Sequence, residues 1–146
     1  MLIYKIFKKN LIKKSNKIFI KIEKKKYTHQ DVENFINTIE KKISIINGNA
    51  IAIIEHNNIY HVAIYLLCSK LNSTFVALDP DSPADVLNKQ LKISEAKLLF
   101  CNNVTRRKIK NFSKTKKNYD FFDLEKKKYL PCLKKNKKIK KCNNIF

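Results

Sequence analysis

Residues 50–100 constrain the fold of this chain more than any other segment. They contain three apolar runs of strand length, which are Ala50–Ile54, Thr74–Leu78 and residues 97–101. Runs that stay apolar along their length are typical of strands buried on both faces of a parallel sheet. The segments between them have apolar residues at helical spacing. We therefore predict an α/β fold, a three-layer-like parallel sheet with right-handed crossover helices.

Residues 18–45 predict an edge hairpin followed by a helix. The β-branched run Ile18–Ile22 and the return toward Tyr27 favour a short strand or hairpin. Thr28 and Asp31 have the spacing of a capping box, and apolar residues at helical spacing extend the predicted helix over residues 28–45. Gly48, the single glycine, suits the left-handed position that closes such a helix.

Polar residues and prolines mark where the next two predicted helices begin. Asn57 or Asn58 can cap a helix that runs to about Leu71. In the turn at residues 79–83, Ser82 is predicted to cap the following helix, with Pro83 at its first position. After residue 102 the pattern weakens, although residues 118–124 favour one more strand.

The net charge of +20 is unevenly distributed. Residues 1–17 carry six lysines and no acid, whereas residues 18–101 carry ten lysines and nine acids. Residues 102–146 carry sixteen basic residues and three acids. We therefore predict a basic N-terminal segment (1–17), a folded subdomain (18–124) and a Lys-rich, poorly ordered tail (125–146).

The basic residues are thirty lysines and two arginines. Lysine, isoleucine and asparagine have A/T-rich codons, so the bias of an AT-rich genome explains this composition without selection for a polyanion. A nucleic-acid-binding protein is expected to use arginine for bidentate contacts. The alternative that the Lys-rich tail of a non-catalytic scaffold binds nucleic acid or another polyanion stays open.

The cysteines give no sign of a disulfide framework or a zinc site. No two of them form a C-x-x-C pair, and Cys68 and Cys101 lie in apolar runs as expected of core residues, whereas Cys132 and Cys142 lie in the tail. A reducing cytoplasm is therefore the expected compartment. No apolar run approaches the length of a membrane span, and the N-terminus lacks the apolar segment of a secretory signal.

Four polar residues are candidates for chemistry. His56 and His61 are five residues apart with no third ligand nearby, so structural or surface roles are favoured over metal binding. Asp79 and Asp81 could be mistaken for a catalytic carboxylate pair, but their prolines favour a structural turn with Asp81 solvated.

Three aromatic residues lie between basic runs in the last predicted strand: Tyr119, Phe121 and Phe122. They could stack on nucleic-acid bases. Packing within a sheet is the favoured interpretation, because they belong to a strand-like run. The residues alone therefore assign no catalytic, cofactor-binding or metal-binding position.

In order and spacing, these segments resemble the N-terminal part of the large domain of the acyl-adenylate-forming superfamily, the AMP-dependent synthetases and ligases. Residues 26–28 resemble its "T-Y-x-E-L" entry, and residues 51–53 its "V-A-I" strand. Residues 74–80 (TFVALDP) resemble "A-x-x-V-P-L-D-P", and residues 94–99 (SEAKLL) resemble "D-S-x-A-K-L-L". The resemblance covers residues 18–124. It departs from the pattern at Asn72, Ala77 and Val86, where the family usually has Gly, Pro and Arg.

The resemblance implies ATP-dependent activation of a carboxylate, with ATP and magnesium as cofactors of an intact family member. The family's glycine-rich phosphate loop, its magnesium-binding acid and its C-terminal Lys lie downstream of this region. A chain with one glycine cannot form such a loop, which needs close backbone approach to phosphates. We therefore expect a truncated, ligase-like protein, either a remnant or one part of a split enzyme with a second polypeptide, and with an exposed sheet edge and uncovered apolar faces.

Overall fold

The structure, a computed structural model, describes residues 2–43, 48–112 and 120–130. Its helices are α1 (Leu2–Lys14), α2 (His29–Glu40), α3 (Ile59–Leu71), α4 (Ala84–Ser94) and α5 (Asn103–Phe112). Its strands are β1 (Ile18–Ile22), β2 (Lys25–Thr28), β3 (Ala50–Ile54), β4 (Thr74–Leu78), β5 (Leu98–Cys101), β6 (Asp120–Asp123) and β7 (Lys128–Leu130).

The main sheet has the strand order β4-β3-β5-β6-β7. Strands β3 to β6 are parallel, and β7 is antiparallel to β6. Ile51 of β3 lies opposite Phe75 on one side and Leu98 on the other. Strands β1 and β2 form a separate antiparallel hairpin. The prediction of a parallel α/β sheet with crossover helices is confirmed.

Helices cover both faces of the sheet. Ile51 and Ile53 of β3 belong to a core shared with α2 and α3, whereas Ala52 and Ile54 belong to a second core shared with α4 and Ile109 of α5. Successive side chains of a strand point to opposite faces, so a fully apolar strand requires both layers. The apolar faces of the central strands are therefore covered, whereas the side chains of β4 at the edge are half-buried or exposed.

Helix α1 lies in the segment to which the sequence analysis assigned no element. Its Phe7 and Leu11 are buried, and its Tyr4 backbone N–H donates to Ser69 Oγ on α3 at 3.1 Å. Lys8 Nζ donates to the buried Glu33 of α2 at 2.8 Å. Helix α1 therefore covers α3, which explains why α3 is apolar on most of its sides.

Two predicted helix ends are confirmed and two are wrong. The Thr28 capping box is present, and Asn58 caps α3 by accepting a hydrogen bond from the Tyr60 backbone N–H. Helix α2 ends at Glu40, so Gly48 does not close it, although Gly48 has the predicted left-handed backbone (φ +75°).

Ser82 does not cap α4. Its backbone N–H donates to the Asp79 carbonyl at 3.2 Å, which makes Ser82 part of the preceding turn. Pro83 is the cap residue instead, with an extended backbone (φ −54°, ψ 152°) and no side-chain cap bond. Ser82 therefore belongs to the preceding turn and is not the cap of α4.

The C-terminal boundary also differs from the prediction. Residues 125–130, assigned to the tail, form the turn and strand β7 that pair with β6. Residues 118–119 of the predicted last strand and residues 131–146 of the tail lie outside the described residues. The assignment of residues 131–146 as a poorly ordered tail stays a prediction.

Candidate functional site

The carboxyl ends of the parallel strands form the candidate site. Strand β4 lies on one side of β3, and the next strand of the chain, β5, lies on the other. The strand order therefore reverses between β3 and β5, and open α/β sheets bind ligands in the crevice at such a switch point. The residues that follow β3, β4, β5 and β6 are the ones that could contact a ligand there.

A side-chain bridge joins the two sides of the switch point. Asn102, just after β5, donates from Nδ2 to Glu55 Oε2, just after β3, at 3.1 Å. Glu55 Oε1 accepts from the His56 backbone N–H at 3.0 Å, and Asn102 Oδ1 accepts from the Thr105 backbone N–H at 2.9 Å. Both side chains are thus engaged in holding the loops together.

The residues after β4 form a surface turn. Asp79 Oδ1 accepts from the Asp81 backbone N–H at 3.0 Å, and Lys108 Nζ donates to the Pro80 carbonyl at 3.0 Å. Asp81 Oδ1 lies 3.7 Å from His56 Nε2, and both side chains are largely exposed. An ion pair in water contributes little stability. This geometry agrees with the predicted structural turn.

His61 is not brought together with His56. It lies in the first turn of α3, and its Nδ1 is buried with no hydrogen-bond partner. Burial lowers the pKa of His61, and the nearby Glu55 carboxylate opposes that shift. Among the described residues, no three His, Cys, Asp or Glu side chains lie close enough to hold a metal ion.

Asp123, at the end of β6, is a buried carboxylate that sequence reasoning missed. Its Oδ1 accepts from the backbone N–H groups of Glu125 and Lys126 at 3.0 and 3.1 Å. These bonds close the turn into β7, a local role that aspartate often takes in turns. The signal in the sequence that could have found this residue is an acid that directly follows two apolar residues.

The aromatic and cysteine candidates are core residues where the structure describes them. Phe122 is buried, with its ring centroid 5.0 Å from that of Phe100, so it packs within the sheet as predicted. Cys68 and Cys101 are buried, and burial raises the pKa of the Cys68 thiol to about 12. Tyr119, Cys132, Cys142 and the side chain of Phe121 lie outside the described residues.

The described residues of this edge carry both signs of charge. Four carboxylates lie there, namely Glu55, Asp79, Asp81 and Asp123, and Lys108 of α5 lies beside the turn after β4. Asn58 and Asn102 already accept hydrogen bonds from backbone N–H groups in the first turns of α3 and α5. Those groups are the ones that would otherwise hold a phosphate.

No protein-family model and no curated protein matches the chain. Several solved structures do match the chain. IdnL1 matches with a TM-score of 0.69 and 14% identity over 87% of this chain and 26% of its own. The anthranilate CoA ligase AuaEII, in complex with anthranoyl-AMP, matches with a TM-score of 0.65 and 17% identity over 74% and 22%. The N-terminal subdomain of Klebsiella oxytoca NpsA matches with a TM-score of 0.61 and 16% identity over 77% and 34%.

These matches establish the fold. The chain has the fold of the N-terminal part of adenylation and AMP-dependent ligase domains, so the resemblance predicted from the sequence is confirmed at that level. The chain spans between about a fifth and a third of the length of the structures it matches.

Proposed function

We propose that this chain is the N-terminal scaffold of a carboxylate-activating, adenylate-forming ligase and that a second polypeptide supplies its nucleotide-binding part. The observation that carries the proposal is the fold match between most of this chain and the N-terminal part of ligase structures. On this proposal the chain provides structural support for the ligase, and residues outside this chain select the acyl or amino-acid substrate.

The chemistry expected of such a ligase needs groups that these residues do not provide. ATP and magnesium would be held by the second polypeptide, through a glycine-rich loop and an acid. The carboxylates at the ends of β3 and β4, such as Glu55 and Asp79, repel a triphosphate. The chain alone therefore neither binds ATP nor forms an acyl adenylate.

A free sheet edge offers the second polypeptide a place to pair. Among the described residues, β4 pairs only with β3, which leaves its other backbone edge open. Phe75 of β4 packs edge-on against Tyr65, whose side chain is 42% exposed. Added strands bind such edges through backbone hydrogen bonds and gain specificity from neighbouring side chains.

Native isolation tests the proposal. The chain would be tagged at its own locus, purified under native conditions, and its partners identified by mass spectrometry. We expect a polypeptide that contains a glycine-rich phosphate loop and a C-terminal lysine, together with ATP–pyrophosphate exchange activity of the complex. Recovery of the chain with no polypeptide of that kind would identify a remnant and overturn the split-enzyme proposal.

The polyanion-binding alternative depends on the Lys-rich residues of the predicted tail. Residues 131–146 lie outside the described residues, so the alternative rests on the sequence alone. It predicts nucleic-acid binding that weakens steeply with salt and is lost when the predicted tail, residues 125–146, is removed. Binding that is insensitive to salt, or that survives the deletion, would contradict it.

A further inference from the structure

Charge is segregated within the folded part of the chain. Residues 2–26, which form α1 and the β1–β2 hairpin, carry ten lysines and one acid, Glu23, a net charge of +9. Residues 27–101 carry six lysines and eight acids, a net charge of −2. A codon bias that acts along the whole gene raises lysine everywhere. It does not explain why residues 2–26 carry one acid whereas residues 27–101 carry eight.

The outer face of α1 combines this charge with exposed apolar side chains. We define the α1 outer face as six exposed residues: Leu2, Lys5, Ile6, Lys9, Ile12 and Lys13. The apolar members are 71%, 52% and 82% exposed, respectively. The opposite side of the helix is fixed to the core by Phe7, Leu11 and the Lys8–Glu33 pair. The outer face therefore has a set orientation on the folded chain.

Exposed apolar side chains are concentrated around this face. Among the described residues, ten large apolar side chains are exposed, and six of them lie between Leu2 and Phe19. Phe19 of β1 lies beside α1, with its ring centroid 5.3 Å from that of Phe7. Single exposed apolar residues need no explanation, but a group of them on one basic surface indicates an interaction site.

The chemistry of this surface favours a lipid interface over other partners. Nucleic-acid sites use arginine and stacked aromatic rings, and this surface has no arginine and mostly aliphatic side chains. Protein interfaces are depleted of lysine at their centres. At an anionic membrane, aliphatic side chains enter the headgroup region while lysine stems let the ammonium groups stay beside lipid phosphates.

We propose that the α1 outer face binds the surface of an anionic membrane peripherally, with the lysines of the β1–β2 hairpin adding electrostatic attraction. No helix among the described residues is long and apolar enough to cross a bilayer, so the contact is with one leaflet only. This inference does not depend on the proposed ligase function.

Vesicle sedimentation tests the charge component. We expect the chain to bind vesicles of phosphatidylcholine and phosphatidylserine (3:1), and not vesicles of phosphatidylcholine alone. The variant Lys5→Gln/Lys9→Gln/Lys13→Gln should bind about 100-fold more weakly, from the attraction of each lysine to an anionic surface. The control Lys89→Gln/Lys92→Gln/Lys97→Gln removes three exposed lysines elsewhere and should leave binding unchanged.

The apolar component has its own pair of variants. Ile6→Ser/Ile12→Ser keeps the charge of the α1 outer face and should still weaken vesicle binding at least about tenfold, because inserted side chains contribute in proportion to buried area. Ile93→Ser, at a side chain 72% exposed on α4, should have no effect. Far-ultraviolet circular dichroism of each variant verifies that α1 and the rest of the fold remain.

Three results would overturn the inference. Equal loss of vesicle binding in the two lysine triple variants would show general attraction by net charge. Unchanged binding of Ile6→Ser/Ile12→Ser would show that the apolar side chains do not enter the membrane. Binding to RNA or polyglutamate without binding to anionic vesicles would assign the surface to another class of partner.

Discussion

At the scale of single residues, polar groups act mainly as turn and cap partners. Thr28 and Asn58 could be assigned from the sequence because a cap needs only a side-chain oxygen at a fixed spacing from a backbone N–H. Ser82 could not, because the helix starts one residue later than expected, with Pro83 in the cap position. Asp123 was missed because its partners belong to a turn that apolar periodicity does not reveal.

Two helices end on residues with left-handed backbones. These are Asn72 after α3 (φ 54°) and Glu95 after α4 (φ 51°). Asparagine adopts this conformation more readily than glutamate does. We therefore expect Glu95→Gly to raise the free energy of unfolding by about 1 kcal/mol, and Asn72→Gly to raise it less.

Urea unfolding of the Glu95 variants measures this effect. Glu95→Ala is the matched control, because it removes the same charge but keeps a Cβ atom in the left-handed conformation. Equal stabilities of Glu95→Gly and Glu95→Ala would mean that backbone strain is not relieved at this position.

The half-buried imidazole of His61 gives a pH dependence. Because burial lowers its pKa in the folded state, the unfolded chain binds the proton more tightly. His61 therefore contributes stability above its ordinary pKa near 6.5, and this contribution is lost as the pH falls below that value. We expect His61→Gln to lose less stability than the natural chain between neutral and acidic pH.

Unfolding by urea at pH 7 and at pH 5 compares the variants. His56→Gln, at a largely exposed histidine, is the control and should retain the full pH dependence of the natural chain. If the two histidine variants lose stability by the same amount between pH 7 and pH 5, the burial of His61 does not govern the loss of stability over that range.

At the scale of elements, the central strands and helices could be predicted and α1 could not. Strands such as β3 are continuous apolar runs, a signal that few other structures produce. In α1 the stripe formed by the half-buried Tyr4 and the buried Phe7 and Leu11 has helical spacing, but exposed isoleucines and lysines on the remaining sides hide it. The structural cue was α3, whose wide apolar surface needs another helix beside it.

Helix α1 should stabilise the fold mainly through its buried aromatic residue. We expect Phe7→Ala to lower the free energy of unfolding by about 3 kcal/mol, because it leaves a cavity between α1 and the core. Ile6→Ala, one residue earlier on the exposed side, should change it by less than about 0.5 kcal/mol. Equal effects of the two substitutions in urea unfolding would contradict the packing of α1 described here.

At the scale of the whole molecule, the chain is a parallel sheet with helices packed on both faces. The sequence predicted the parallel sheet and the resemblance to adenylate-forming enzymes, because both depend on the order of short local segments. It did not predict that α1 covers one layer, since that depends on contacts between distant residues. It also did not predict β7, because the Lys-rich run after Asp123 hides a local hairpin with β6. The fold match with adenylation and AMP-dependent ligase domains supports the proposed function.

ATP–pyrophosphate exchange tests that account most directly. The isolated 146-residue chain and the complex purified from its native source would be assayed with ATP, magnesium and a panel of carboxylic and amino acids. We predict no exchange by the chain alone and exchange by a complex that contains a polypeptide with a glycine-rich phosphate loop. Exchange catalysed by the isolated chain would contradict the account, because it would place a working nucleotide site within these residues.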